Sequence, residues 1–179
     1  MSIWMGYLTR STGIVATILV VAALLWGFFF SSRTTGTRLR PAWWLDLHNW
    51  LGGLALIFCG LHILAAWLDT SSGIGLIQIL VPGTAVQAWP IAWGVIATYG
   101  LVVVVFTSWP RRLRRRLWWR IIHLTSVAAT AFIFLHAYQT GSDVGNLAFR
   151  VGFIAAAWLA SYGVGVRVFT IADGRTSKV

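Results

Sequence analysis

The sequence predicts an all-α integral membrane protein, built as a bundle of five transmembrane helices. The chain has 179 residues, of which 58% are hydrophobic and only 10% are charged. That balance lies outside the range of soluble domains. The apolar residues also form runs close to the length of about 20 residues that a helix needs to cross a bilayer. Tryptophan, which concentrates at membrane–water interfaces, stands at the ends of several of these runs.

Five apolar runs are predicted to span the membrane within a single domain that covers residues 1–179. The predicted spans are residues 12–30, 43–68, 91–109, 117–139 and 147–169. Between the second and third spans, the apolar stretch within residues 71–89 is too short to cross the bilayer and ends at Pro82-Gly83. We expect this segment to form an interfacial helix, a cap over the outer mouth of the bundle, or a re-entrant loop.

The basic residues are distributed unequally between the two predicted faces. The segments after spans one, three and five share one face. That face, including the adjoining span ends, carries every basic residue except Arg10 and Arg150. Because Lys and Arg concentrate in cytoplasmic segments, we expect the N-terminus outside and the C-terminus in the cytoplasm. The net charge of +10, including the run RRLRRR at 111–116, is then explained by topology and contact with lipid phosphates. Nucleic-acid binding is not expected.

All four histidines lie in spans two and four. His62 follows His48 at position i+14, and His136 follows His123 at position i+13. Spans two and four run in the same direction, so His48 and His123 share one depth and His62 and His136 share another, about 20 Å away. An ionisable side chain inside a span is costly and marks a functional site. The pattern therefore predicts two pairs of imidazoles that bridge the two helices.

A pair of imidazoles suits haem better than a metal ion bound by protein alone. Zinc usually takes four protein ligands or three and a water. Cys59 is the only cysteine, which excludes disulfides and cysteine clusters within the chain, and all four acidic residues lie near span ends or beyond them. Haem needs only axial ligands from the protein. A proton relay is the alternative, although relays usually recruit carboxylates.

We therefore expect two haem b groups, an inner one held by His48 and His123 and an outer one held by His62 and His136. With both axial positions filled, such a haem carries electrons and does not bind substrate. The second nitrogen of each imidazole is expected to meet an oxygen acceptor, by default a backbone carbonyl one turn back. An i, i+13 spacing is off by about 140° on a straight helix, so span four is expected to be distorted, tightened or tilted.

Further residues are expected to contact the cofactors. Gly52, one turn beyond His48, leaves room for a porphyrin, or for close helix packing. Arginines near the interfaces are candidates to meet haem propionates, although an ordinary interfacial role is the simpler interpretation. The candidates are Arg40, Arg116 and Arg120 for the inner haem, and Arg10 and Arg150 for the outer haem.

Two segments carry a resemblance to a known family. DLHNWLGGLALIFCGLH at 46–62 and WWRIIHLTSVAATAFIFLH at 118–136 resemble the ferric reductase-like transmembrane domain. That domain is shared by NADPH oxidases, ferric reductases and bacterial haem subunits related to that of the methionine sulfoxide reductase system. These proteins are similar in having two histidines, at i and i+13 or i+14, on each of two parallel helices. RSTG at 10–13 and GSD at 141–143 also resemble the bacterial members, which implies a bacterial inner membrane.

The resemblance also implies partners. Family members often have six spans, and the oxidases and reductases carry a flavin- and NADPH-binding domain after them, where this chain has about ten residues. We therefore expect electrons from a cytoplasmic flavin reductase or membrane quinol, and an extracytoplasmic redox protein or ferric chelate as acceptor. The alternatives are an outward-facing ferric chelate reductase and a non-redox transporter or assembly subunit. The non-redox protein would be colourless and would tolerate single His→Ala changes.

Overall fold

The computed structural model describes residues 2–31, 41–108 and 116–172, which form six α-helices and a 3₁₀ helix. The α-helices are α1 Ser2–Ser31, α2 Pro41–Leu68, α3 Leu76–Leu80, α4 Ala88–Ser108, α5 Arg116–Thr140 and α6 Leu147–Ala172, and the 3₁₀ helix is Ser142–Gly145. All but α3 are long and apolar enough to cross a membrane. The predicted all-α bundle of five transmembrane helices is thus confirmed, while the direction in which the chain crosses the membrane stays a prediction.

Helix α1 holds the bundle together. It packs extensively against α2 and also contacts α6 and α5, whereas α4 and α5 form a second closely packed pair. One core cluster joins Val20 of α1, Ala55 of α2 and Leu101 of α4. A second joins Leu24 of α1 to Ala160 of α6. The two helices that carry histidines, α2 and α5, therefore rest against different neighbours, α1 and α4.

Small residues let the helices approach closely. Ala55 is fully buried, and Ala97 on α4 and Ala129 on α5 are nearly so. A methyl group placed on Gly100 of α4 would lie 3.1 Å from the Cβ of Ala129. Helix association inside a membrane depends on such van der Waals contact, because lipid tails are as apolar as the side chains. The α4–α5 pair is therefore built on close backbone approach.

Helix α1 begins ten residues earlier than the sequence predicted, at Ser2 and not at Thr12. The additional turns include Arg10, whose guanidinium donates to the carboxylate of Asp143 at 3.2 Å and to the carbonyl of Gly6 at 3.3 Å. The guanidinium also lies over the ring of Tyr7. This ion pair joins α1 to the 3₁₀ helix.

The segment at 71–89 contains one short helix, α3, which has exposed apolar side chains at Leu76 and Ile77. Tyr99 of α4 donates a hydrogen bond to the carbonyl of Leu80 and holds the end of α3. The chain then turns at Pro82-Gly83, where Gly83 has a φ of 88°. That backbone conformation favours glycine, so the predicted end of the apolar stretch has a local cause.

The tryptophans divide into two groups. Trp43, Trp67 and Trp118 are between 43% and 53% exposed, as interfacial residues are expected to be. Trp44 differs from this expectation, because only 7% of its surface is exposed. Its ring contacts Trp26 of α1, so it packs between the two helices and not on the outer surface of the bundle.

Candidate functional site

The structure brings the four histidines together as two facing pairs between α2 and α5. The ring centroids of His48 and His123 are 5.7 Å apart. Those of His62 and His136 are 6.1 Å apart. Along α2 the i, i+14 spacing of His48 and His62 corresponds to about 20 Å of helix. The bundle thus presents two imidazole pairs stacked along its axis.

Helix α1 fixes the two imidazoles of α2. His48 Nδ1 donates to the carbonyl of Ala23 at 3.0 Å, and His62 Nδ1 donates to the carbonyl of Thr9 at 2.8 Å. A carbonyl oxygen can only accept, so Nδ1 carries the proton in both rings and Nε2 keeps its lone pair. The two acceptors repeat on α1 at the same i, i+14 spacing as the two histidines on α2. Both rings are therefore held in the same way.

Helix α4 fixes the two imidazoles of α5. His136 Nδ1 donates to the carbonyl of Pro90 at 2.8 Å. His123 Nδ1 forms its hydrogen bond with the hydroxyl of Ser108, at 3.2 Å. Helix α5 is continuous from Arg116 to Thr140. The distortion, tightening or tilt that the i, i+13 spacing suggests stays a prediction. His123 therefore differs from the other three histidines, because its partner is a side-chain hydroxyl and not a main-chain carbonyl.

The predicted acceptor for each imidazole was wrong in its location. We expected a carbonyl one turn back on the same helix, whereas the acceptors of His48, His62 and His136 are carbonyls of a neighbouring helix. The physical reason is that these rings extend away from their own helices. An acceptor on the far side of the ring then fixes Nδ1 and leaves Nε2 for a ligand.

Three glycines, which the sequence analysis did not assign to the site, make room for these rings. Gly13, Gly27 and Gly94 each lie four residues after the carbonyl that accepts from a histidine. A methyl group would lie 2.9 Å from His62 Nδ1 at Gly13 and 2.9 Å from His136 Nδ1 at Gly94. At Gly27 it would lie 3.2 Å from the Cε1 atom of His48. The ring, the carbonyl and the glycine form one recurring unit.

The separation of the paired rings fits a single metal ion between them. A metal–imidazole bond is about 2.0 Å, and the ring centre lies about 1.1 Å behind the nitrogen, so two opposed ligands place their centroids about 6 Å apart. The observed distances are 5.7 and 6.1 Å. Among the described residues, no group of three His, Cys, Asp or Glu side chains could hold a metal. The pairs therefore fit a metal whose other ligands come from a cofactor.

The comparison with protein families decides the identity of this domain. The family model described as "Ferric reductase like transmembrane component" matches residues 12–135, which is more than half of the chain. The chain belongs to this family. The matched range includes His48, His62 and His123 and ends one residue before His136. No curated protein and no solved structure matched the chain.

Membership in the ferric reductase-like family establishes the coarse function. The protein is a multi-pass membrane redox component, and domains of this family generally bind haem. A haem would need only two further ligands from the protein, because the porphyrin supplies four nitrogens, and each imidazole pair offers two. The donor set, the ring separation and the fixed Nδ1 atoms all fit that group.

The other residues predicted for the ferric reductase-like site occupy varied positions. Arg10 of α1 pairs with Asp143 of the 3₁₀ helix. It directly follows Thr9, whose carbonyl accepts from His62. Arg150 is exposed beside an apolar groove that also includes Tyr138. The remaining candidates are Arg120, which is exposed on α5, Gly52, which faces Val105 of α4, and Arg40 and the side chain of Arg116, which lie outside the described part of the chain.

In the two-haem protein that the sequence predicts, replacing Ser108 with alanine is expected to change the redox potential of one haem only. A hydrogen bond donated by Nδ1 makes the imidazole a stronger ligand and favours ferric iron. Loss of a bond worth about 1 kcal/mol would raise the potential by at most about 40 mV for one electron. Redox titration followed by absorption spectroscopy measures the shift. The control is Ser161→Ala, which removes a hydroxyl that bonds within α6. If both potentials stay unchanged in Ser108→Ala, then Ser108 does not tune the haem held by His123.

Proposed function

We propose that the protein is a b-type cytochrome that carries electrons across the membrane through two stacked haems. His48 and His123 would hold one haem, and His62 and His136 the other. The observation that carries this proposal is the presence of two facing imidazole pairs with ring centroids 5.7 and 6.1 Å apart. Each of the four rings also has its Nδ1 atom in a hydrogen bond to another helix.

The chain's own contribution is to hold the ligands ready. Three Nδ1 atoms donate to carbonyls, so their Nε2 atoms keep the lone pair that binds iron. Because the carbonyls belong to α1 and α4, the rings keep their orientation without rearrangement of α2 or α5. Haem supplies one-electron chemistry when bound. A ligand on each side of the iron leaves no open position, which favours electron transfer over reaction at the metal.

The same hydrogen bonds disfavour the proton-relay alternative. A relay needs imidazoles that exchange protons at both nitrogens with a chain of polar groups. Here, three Nδ1 protons are directed at main-chain carbonyls, which cannot pass a proton onward. Asp69, the buried carboxylate of the described residues, instead accepts from Ser71 in the loop after α2. The rings are arranged as fixed ligands.

The proposal extends to direction and partners. Haem takes one electron at a time, so a nicotinamide hydride has to pass through a group that divides it. A cytoplasmic flavin reductase or a membrane quinol is such a donor. The proposed acceptor is an extracytoplasmic redox protein or a ferric chelate, and the proposed location is a bacterial inner membrane with the N-terminus outside. The unequal distribution of Lys and Arg supports this orientation, and lipid contacts the exposed apolar surface.

The test is a reduced-minus-oxidised absorption spectrum of the detergent-purified protein, together with the amount of haem extracted per chain. Sharp low-spin b-type bands at two haems per chain are the expected result. One haem per chain would show that only one imidazole pair is a haem site. A colourless protein from haem-replete cells would refute the proposal and favour a transporter or assembly subunit. Reduction of ferric chelate by the pre-reduced protein alone would identify a terminal reductase.

A further inference from the structure

Three tryptophans form a cluster between α1 and α2. The ring of Trp26 on α1 lies 4.3 Å from that of Trp44 and 6.0 Å from that of Trp43, both on α2. Trp43 and Trp44 meet edge to face with ring centroids 5.8 Å apart. We call these residues the tryptophan cluster. Two of its members, Trp26 and Trp44, have buried indole nitrogens.

The indole N–H groups of Trp26 and Trp44 are buried and have no hydrogen-bond partner among the described residues. Trp44 is more than nine-tenths buried, whereas Trp43 is 52% exposed. An interfacial tryptophan usually directs its N–H to water or lipid headgroups. Nearly all buried polar groups are paired, so two adjacent donors without a partner among the described residues are available to an acceptor that a cofactor brings.

The tryptophan cluster lies next to one imidazole pair and far from the other. Trp44 precedes His48 by four residues, about one turn, so it lies on nearly the same side of α2. Trp26 directly precedes Gly27, the glycine whose missing side chain makes room for the ring of His48. Trp44 is thus one turn from His48 on α2, and Trp26 is next to the glycine of α1 that faces the His48 ring. His62 lies about four turns beyond His48 on α2.

We propose that Trp26 and Trp44 donate their indole hydrogens to a propionate carboxylate of the haem at the His48–His123 pair. This inference rests on the proposed function and adds the residues that would bind the cofactor's acid group. An indole can only donate, and it needs an oxygen acceptor. A carboxylate is the strongest acceptor that the proposed cofactor brings to the site, because hydrogen bonds to an ionised group are stronger than neutral ones.

The proposal assigns to indoles a role that the sequence analysis gave to arginines. Arg120, a candidate for the same propionate, is exposed on α5. A buried indole differs from an exposed guanidinium in that it adds no charge, yet its hydrogen bond is protected from water. Two such donors would partly neutralise the carboxylate and thereby favour ferrous iron. The haem at the His62–His136 pair would not experience this effect.

The test compares Trp26→Phe/Trp44→Phe with Trp43→Phe, which removes an indole N–H from the exposed member of the same cluster. Two readouts are used, namely the midpoint potentials of the two haems and the carboxylate bands in the redox-induced infrared difference spectrum. In the double variant, one potential is expected to fall and the bands of one propionate to shift, while the second haem keeps its values. Trp43→Phe is expected to change neither readout.

A double variant that binds both haems with unchanged potentials and bands would overturn the inference. Failure of this inference is distinct from failure of the proposed function, because only the latter would make the unmutated protein colourless. If the double variant does not fold, the ultraviolet resonance Raman spectrum of the unmutated protein provides the second measurement. Its indole bands report N–H hydrogen bonding. Two buried indoles with free N–H groups in the haem-loaded protein would also refute the inference. Indole bands that change when quinone is added, and not when haem is bound, would refute it in favour of a quinone as the acceptor.

Discussion

Replacing both His62 and His136 with alanine is expected to halve the haem content, from two haems per chain to one, and to leave the remaining haem low-spin. The two imidazoles face each other at 6.1 Å, and the other pair lies about 20 Å away along α2. Removing both ligands of one iron therefore leaves the second pair and its acceptors on α1 and α4 in place. Extracted haem per chain and the reduced-minus-oxidised spectrum measure the result.

The matched control is Leu61→Ala with Leu135→Ala. These residues directly precede the two histidines on the same helices, and they are 44% and 41% exposed. The control also shortens one side chain on each of the two helices at nearly the same depth of the bundle. It leaves the imidazoles in place, so it should keep two haems. An unchanged haem content in the histidine variant would contradict the proposed ligands. Loss of both haems in the variant, with the control unaffected, would mean that the two sites do not fill independently.

The same variant tests whether electrons cross the bundle through both haems. In the proposed cytochrome, an electron that enters at one end passes both haems before it leaves at the other. In sealed vesicles with a reductant on the side of the His48–His123 pair, the remaining haem of the His62→Ala/His136→Ala protein is therefore expected to be reduced without passing its electron onward. An acceptor on the opposite side would stay oxidised, whereas the control variant would reduce it.

The sequence was sufficient to predict what depends on one helix at a time. Span lengths follow from runs of apolar residues, and the depth of each histidine follows from its position in the run. The pairing of His48 with His123 and of His62 with His136 required only that spans two and four run in the same direction. The part of α1 before Thr12 lay outside the predicted span, and the partner that Arg10 finds there, Asp143, is far away along the chain.

What the sequence did not predict depends on which helices are neighbours. The carbonyls that hold His48 and His62 belong to α1, and nothing in a single helix shows which way a ring will turn. One signal was nevertheless available. Gly27 follows Gly13 at position i+14, the same spacing as the two histidines of α2. Two antiparallel helices with equal spacings can match both positions, so glycines that repeat at the histidine spacing indicate the neighbour.

Replacing Gly13 or Gly94 with alanine is expected to weaken haem binding at the His62–His136 pair by about 5- to 150-fold. A methyl group at either position would lie 2.9 Å from the Nδ1 atom of a histidine, and at Gly94 also 3.0 Å from Cε1 and 3.1 Å from Cγ of His136. Overpacking of this kind costs about 1–3 kcal/mol, which corresponds to that loss of affinity. Haem titration of the apoprotein measures the affinity, and the electron paramagnetic resonance spectrum reports the changed ring orientation.

The control for this experiment is Gly60→Ala on α2, where a methyl group would meet no atom within 4 Å. Alanine favours a helix over glycine by about 0.5–1 kcal/mol, so every one of these variants should stabilise its own helix. A loss of haem at Gly13→Ala or Gly94→Ala therefore cannot arise from a weaker helix.

Gly27→Ala, with its longer 3.2 Å approach to His48, should show a smaller loss at the other haem. Equal affinities in Gly94→Ala and Gly60→Ala would mean that the His136 ring is free to move, and that the carbonyl of Pro90 does not fix it.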